Sequence, residues 1–248
     1  MRLLIAYSVT MFFLISPSVN GEEKKITAVC SEHTPPFCYA GANGQPSGIL
    51  VDIYKEIAVR MDTLLEVKLV PVKRVSLLLF DGTSDIGNLV YSQERAKHVR
   101  FLDSPVYGLK VALYGKQPNR FTYQSISDLY GKTIGKRRGY YLSSDFAKAV
   151  EQKNIEEFNA NSNMQLLNLL KKGRVKYVAI QEDFILMNKD VLPQDISFLG
   201  YLTTDISIML AISKRSNLSE QYEKVNETFA AIKNDGTLDS IITRYIPK

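Results

Sequence analysis

Residues 65–90 read LEVKLV P VKR VSLLLF DGTS DIGNLV. Apolar and polar side chains alternate from Leu65 to Val70, the period of a half-buried strand, and Pro71 closes it because proline offers no N–H to a ladder. An apolar helix over 75–80 follows and is stopped by Asp81-Gly82, and 85–90 reads as the next strand. Strand, helix and strand in so short a stretch are the unit of an α/β sheet with helices on its faces. Upstream, 25–30 is a short strand ending in a Pro-rich loop, and Asn43-Gly44 marks a turn. Gly48 precedes a helix over 49–61, where Ile49, Ile53, Ile57 and Met61 recur at helical spacing. The chain therefore opens β-α-β-α-β.

Downstream of Pro105, residues 109–114 are a β-rich run. A short helix at 127–129, a strand at 133–136, a turn at Gly139 and a helix capped by Ser143 or Ser144 and running to 151 come next. Residues 155–158, 163–172, 175–180 and 183–188 again alternate strand and helix, and 206–212 is a second β run. Helices over 218–233 and 238–245, separated by Asp235-Gly236, finish the chain. Two α/β units joined by two β runs predict two lobes, the first discontinuous. The first takes 22–106 plus 210–248 and the second 111–205, with hinges near 107–110 and 206–209. Ligands in open α/β sheets sit beyond the carboxyl ends of strands, so the expected site is a cleft between the lobes.

Composition narrows the function. The 248 residues are 45% hydrophobic and 23% charged, which is globular and excludes disorder and coiled coil. The net charge of +5 is mild and the charges are scattered, so no nucleic-acid partner is expected. Two cysteines and two histidines, His33 and His98, are too few for the usual zinc or Ser-His-Asp chemistry, and no cofactor is called for. Residues 1–21 read as an export signal. Arg2 is its positive region, 3–15 an apolar run broken only by Ser8 and Thr10, and Pro17 and Val19-Asn20-Gly21 lead to a cut at Glu22. No Cys follows the run, so no lipid anchor is expected. The run is too short to span a bilayer, so the expectation is a soluble periplasmic protein, taken as a monomer. Export places Cys30 and Cys38 in an oxidising compartment, where they either form a disulfide across Pro35-Pro36 or remain free thiols.

Several ordered landmarks carry a family resemblance. Pro35-Pro36-Phe37, Asn43-Gly44, Gly48 and Val51-Asp52 open it; Pro71, Arg74, Leu78, Gly82 and Asp85 follow. Glu94-Arg95, Val99, Phe101 and Ser104-Pro105 come next, then Leu129-Tyr130-Gly131-Lys132-Thr133-Ile134-Gly135, Leu170 with Gly173-Arg174-Val175 and Ala179, and Asn234-Asp235-Gly236-Thr237-Leu238. In this order they resemble the bacterial solute-binding proteins of family 3, the amino-acid-type periplasmic components of ABC importers, over nearly all of 25–247. The resemblance implies the type II periplasmic-binding-protein-like fold, two α/β lobes hinged on two crossover strands. It also implies a small polar solute, an amino acid or related zwitterion, in the cleft, and an ABC permease as partner.

A zwitterion needs a guanidinium fork and backbone N–H groups for its carboxylate, an acid for its ammonium, and an aromatic or apolar wall. The resemblance puts Arg95 on the carboxylate-binding arginine; otherwise it pairs at the surface with Glu94 or Asp103. Gly139 falls on the glycine that opens a second-lobe helix and lets backbone approach the ligand. Tyr140 and Tyr141 either stack on the ligand or pack on a neighbouring helix. Phe37 is either ligand wall or core, and Arg74 either reaches the cleft or forms a helix-surface salt bridge. The chain departs from the family at three points. Gln181 stands where the ammonium-binding acid belongs, with Glu182 beside it. Val90 replaces a hydroxyl, with Tyr91 and Ser92 adjacent, and the segment from Asp85 to Arg95 is shortened. Thr34 replaces an aromatic. Two alternatives to a transport receptor stand: an enzyme resembling cyclohexadienyl dehydratases, with Glu182 or Glu32 as general acid, and a soluble sensor feeding a membrane receptor.

Overall fold

The structure is a computed structural model and describes residues 25–116, 121–188 and 192–246. The expected export signal, residues 1–21, lies outside the described residues. The chain opens with β1 (Lys25–Ser31), three short strands β2 (His33–Thr34), β3 (Cys38–Ala40) and β4 (Pro46–Ser47), then α1 (Ile49–Arg60) and β5 (Leu64–Val70). It continues through α2 (Val72–Phe80), β6 (Ile86–Val90), α3 (Gln93–Ala96) and the long β7 (Val99–Lys116). A 3₁₀ turn, Ile126–Leu129, leads to β8 (Lys132–Arg137), α4 (Ser144–Glu151), β9 (Ile155–Ala160), α5 (Asn163–Lys171), β10 (Tyr177–Gln181) and α6 (Glu182–Met187). The equally long β11 (Ile196–Ser213) returns the chain to α7 (Tyr222–Asn234) and α8 (Thr237–Tyr245).

One mixed eight-stranded sheet runs β5-β1-β6-β11-β7-β10-β8-β9. Its outer pairs are parallel: β1 with β5 from Lys25↔Leu64 to Ser31↔Val70, and β8 with β9 from Lys132↔Ile155 to Arg137↔Ala160. Between them β11 and β7, each 18 residues long, run antiparallel and belong to both halves. This is a two-lobed α/β fold on two crossover strands. The segments expected as hinges lie side by side, with Leu109 opposite Ile206, Gly108 opposite Ser207 and Tyr107 opposite Ile208. Register shifts flank them at Thr203/Ile206 and Ile208/Met209. A bulge leaves a residue unpaired and bends its strand.

The β run expected from 109 begins ten residues earlier, at Val99. Pro105 does not end it, because Pro105 sits opposite Met209 between two register shifts, where the ladder is already irregular. The Pro-rich loop expected after the first strand is a small three-stranded sheet, β2-β3-β4. Cys30 of β1 and Cys38 of β3 form a disulfide that ties this sheet to the main one.

Local chemistry explains the element ends. At Gly48, with φ of 121°, a Cβ would lie 2.6 Å from the Phe37 carbonyl oxygen, so only glycine fits where α1 begins. Helix α1 then buries Ile49, Leu50, Ile53, Tyr54 and Ile57, each apolar side chain contributing about 1.5–3 kcal/mol. The hydroxyl of Ser143 accepts the Phe146 N–H at 3.1 Å and starts α4. The C-terminal helices dock back on α1: Arg60 pairs with Asp235 at 2.7 Å, and the Tyr245 hydroxyl donates to Asp52 at 2.8 Å. The Thr237 hydroxyl and N–H, with Arg60, hold the exposed Asp235 carboxyl down at about 2.

Candidate functional site

The ends of β1 and β6, the loop after β1 and the starts of α2 and α3 face the turn after β8 and the end of β10 across a cleft of about 430 Å³. The first half contributes Phe37, Val75, Asn88, Leu89 and Arg95; the second contributes Gly139, Tyr140, Tyr141 and Gln181. The crossover strands add Leu109, Val111, Ile206 and Ile208 where the halves join.

Arg95 stands on the short α3, whose first turn is capped by the Ser92 hydroxyl accepting the Arg95 N–H at 3.3 Å. Its Nη1 donates to the Val90 carbonyl at 2.7 Å, which fixes the guanidinium against β6. Among the described residues no carboxylate pairs with it. Glu94 pairs with Lys97, and Asp103 accepts from Asn226 at 2.7 Å, so neither surface partner expected for Arg95 takes it. Burial pulls the guanidinium below its ordinary range, the mark of a cation desolvated without a counter-ion. Such a group is poised for a ligand anion.

Phe37 is both wall and core. It is buried, lines the cleft and meets Tyr107 of β7 with ring centroids 5.3 Å apart. Tyr140 is held by Arg137, whose Nη1 donates to the hydroxyl and whose guanidinium carbon lies 4.2 Å from the ring centroid. Gln181 also hydrogen-bonds that hydroxyl, and burial pushes its pKa up, so Tyr140 is a neutral wall. Tyr141 lines the cleft and an adjoining pocket together.

Gly139 requires a correction. It does not open a helix: α4 begins at Ser144, and Gly139 sits in a turn closed by the Tyr140 N–H donating to the Arg137 carbonyl at 3.1 Å. Its φ is +80°, and a Cβ there would meet Val72 Cγ1 at 2.8 Å and Lys73 Cγ at 2.9 Å. The close approach that needs glycine is therefore to α2 across the cleft, a contact between the two halves.

Four other expected residues stand outside the cleft lining. Arg74 is exposed on α2 and pairs with no carboxylate among the described residues. Tyr91 is exposed, packs edge-on against Phe101 and lines the adjoining pocket. Glu32 lines a different pocket beside His33 and Arg137. Glu182 accepts from the Tyr201 hydroxyl and lies 3.6 Å from Lys110. The side chain after a strand end alternates sides, so Gln181 enters the cleft and its neighbour Glu182 turns to Tyr201.

Three features escaped the sequence reading. Asn88 is a polar residue inside the strand β6, and its Oδ1 is buried without a hydrogen-bond partner. Ser31 ends β1 at the cleft. Asp183 is buried in α6, takes the Tyr107 hydroxyl at 2.7 Å on Oδ1 and leaves Oδ2 unpartnered. Burial holds its pKa above the usual carboxylate range.

A two-lobed α/β sheet on shared crossover strands, with an unpaired guanidinium in the intervening cleft, defines the class of hinge-bending solute receptors. Within that class, residues 26–248 match the bacterial extracellular solute-binding proteins, family 3, and the chain belongs to that family. A curated relative, ABC transporter arginine-binding protein 1 of Escherichia coli K12, is 26% identical over 91% of this chain and 92% of its own. An amino acid ABC transporter substrate-binding protein from Streptococcus pneumoniae, solved with L-arginine, is 26% identical with a TM-score of 0.71, covering 90% of this chain and 97% of that one. A histidine kinase sensor domain shares the fold at 17% identity, with a TM-score of 0.77, covering 91% of this chain and 97% of its own.

Proposed function

We propose that this chain is a periplasmic, non-enzymatic receptor that binds a small carboxylate solute in the interlobe cleft and delivers it to an ABC importer. The observation that carries the reading is Arg95: half-buried, fixed by the Val90 carbonyl, and without a protein carboxylate in a cleft that both halves line. Family membership and the relatives named for ABC transport support delivery to a permease. The lobes run 22–106 plus 210–248 and 111–205, with bending at 107–110 and 206–209, where the paired strands carry register shifts. Ligand contacts from both halves favour the closed arrangement only by their differential strength in it. Relatives named for arginine do not extend that ligand to this chain, because among the described lining residues there is no carboxylate to meet a second guanidinium. The enzyme alternative loses its general acids, since Glu32 and Glu182 stand outside the cleft lining.

The test is Arg95→Ala. Calorimetric titration with the solute that co-purifies should show affinity falling by about 100-fold or more, the loss typical of a buried charge-assisted contact. The thermal midpoint of the unliganded protein should stay close to the parent's. Undiminished affinity would remove the arginine, and with it the carboxylate, from the site.

A further inference from the structure

The charge of the cleft is one-sided. Arg95 and Lys73 line it, and among the described lining residues there is no Asp or Glu. The remaining polar lining is neutral: Ser31, Thr34, Ser76, Asn88, Gln181 and the two tyrosines. The carboxylates of the neighbourhood face elsewhere or are engaged. Glu182 is taken by Tyr201 and Lys110, and Asp183 is buried and accepts the Tyr107 hydroxyl. Glu32 and Asp145 line the adjoining pockets rather than this one. An ammonium entering here would give up its hydration, find no counter-charge and sit with the Arg95 guanidinium, an uncompensated burial of charge.

What the cleft does offer is apolar surface. Phe37, Val75, Leu89, Leu109, Ile206 and Ile208 wall it, and most of their side chains are buried in the core. The polar groups among the lining residues other than Arg95 and Lys73 are neutral, so they add no charge to meet an ammonium.

We propose that the cleft takes a carboxylate with an apolar body and no ammonium, its carboxylate on Arg95 and its carbon skeleton against the wall of Phe37 and the crossover strands. This rests on the reading of the chain as a carboxylate receptor. It separates the ligand from amino acids by the one group that the lining does not serve. The carboxylate end satisfies the Arg95 guanidinium, which pairs with no carboxylate among the described residues, and the neutral lining leaves the rest of the ligand uncharged.

The experiment is calorimetric titration of the purified, solute-stripped protein with matched pairs: 2-hydroxyisocaproate against leucine, 3-phenyllactate against phenylalanine, and lactate against alanine. In the pair whose size fits, the hydroxy acid should bind at least about tenfold tighter than the amino acid. An amino acid that binds as tightly as its hydroxy partner, or more tightly, overturns this inference and leaves the carboxylate receptor standing. Failure of every compound in both series overturns the carboxylate receptor as well. A second variant, Gln181→Glu, places a carboxylate in the lining. It should shift the preference towards the amino acid by about tenfold, and an unchanged ratio would overturn the charge argument.

Discussion

At Asp183 the balance of burial against hydrogen bonding has a sign that can be measured. Burial raises its pKa, and the hydrogen bond from Tyr107 only partly opposes that. The folded state therefore binds this proton more tightly than the unfolded chain, whose carboxyl titrates near the ordinary value of about 3.9. Its contribution to stability is full below the unfolded pKa and is lost as pH rises through the folded one. Asp183→Asn keeps an oxygen for Tyr107 and has no proton to lose. Thermal melts should coincide with the parent at pH 3 and lie higher at pH 8; parallel curves across the range would show that the carboxyl does not carry the effect. The same scale shows what a sequence can say about a site. Arg95, Phe37, Gly139, Tyr140, Tyr141 and Gln181 were each nameable from their motifs, and the structure gathers them around one cleft. Asn88, Leu109 and Ile206 were not, because they enter the lining only when distant strands pair, and nothing local marks them.

Among the elements, the sheet of β2, β3 and β4 and the turn at Gly139 set the two rims of the cleft. The disulfide between Cys30 and Cys38 closes a short loop that carries Thr34, Pro35 and Phe37 to the lining. Cross-linking a loop of this length is worth about 2–3 kcal/mol, so the double variant Cys30→Ala, Cys38→Ala should melt roughly 5–10 °C lower and bind more weakly. Differential scanning calorimetry beside titration reads both effects. At Gly139, an added methyl would press on Val72 and Lys73 of α2 at a positive φ, a strain of about 1 kcal/mol or more. Gly139→Ala should lower ligand affinity by about tenfold while moving the melting point of the free protein little, because the clash belongs to the closed arrangement. Equal losses in both would place the contact in the resting fold instead. The strand-helix-strand unit at 64–90 was legible because its periods are long and its stops are Pro71 and Asp81-Gly82. The two-residue strands at 33–34 and 46–47 have no period to read. The early start of β7 was hidden by Pro105, whose tolerance depends on its partner Met209.

For the whole molecule, closure is the property to measure. The Gly139 turn rests on α2 across the cleft, and the lining comes from both halves. Small-angle scattering should show a larger radius of gyration for the stripped protein than for the liganded one, and identical curves would argue against hinge bending at 107–110 and 206–209. The order of strands from β5 to β9 could be anticipated as two α/β units, but the fusion of both into one sheet could not. Pairing between residues as far apart as Val99 and Ser213 leaves no local signature.

That fusion constrains how the protein can change over generations. Because β7 and β11 pair along their length, each half draws part of its sheet from strands that continue into the other. A cut at the lobe boundaries would break two strands in mid-course and expose their unpaired N–H and C=O groups as sticky edges. Side-chain exchanges around the cleft leave that shared frame uncut.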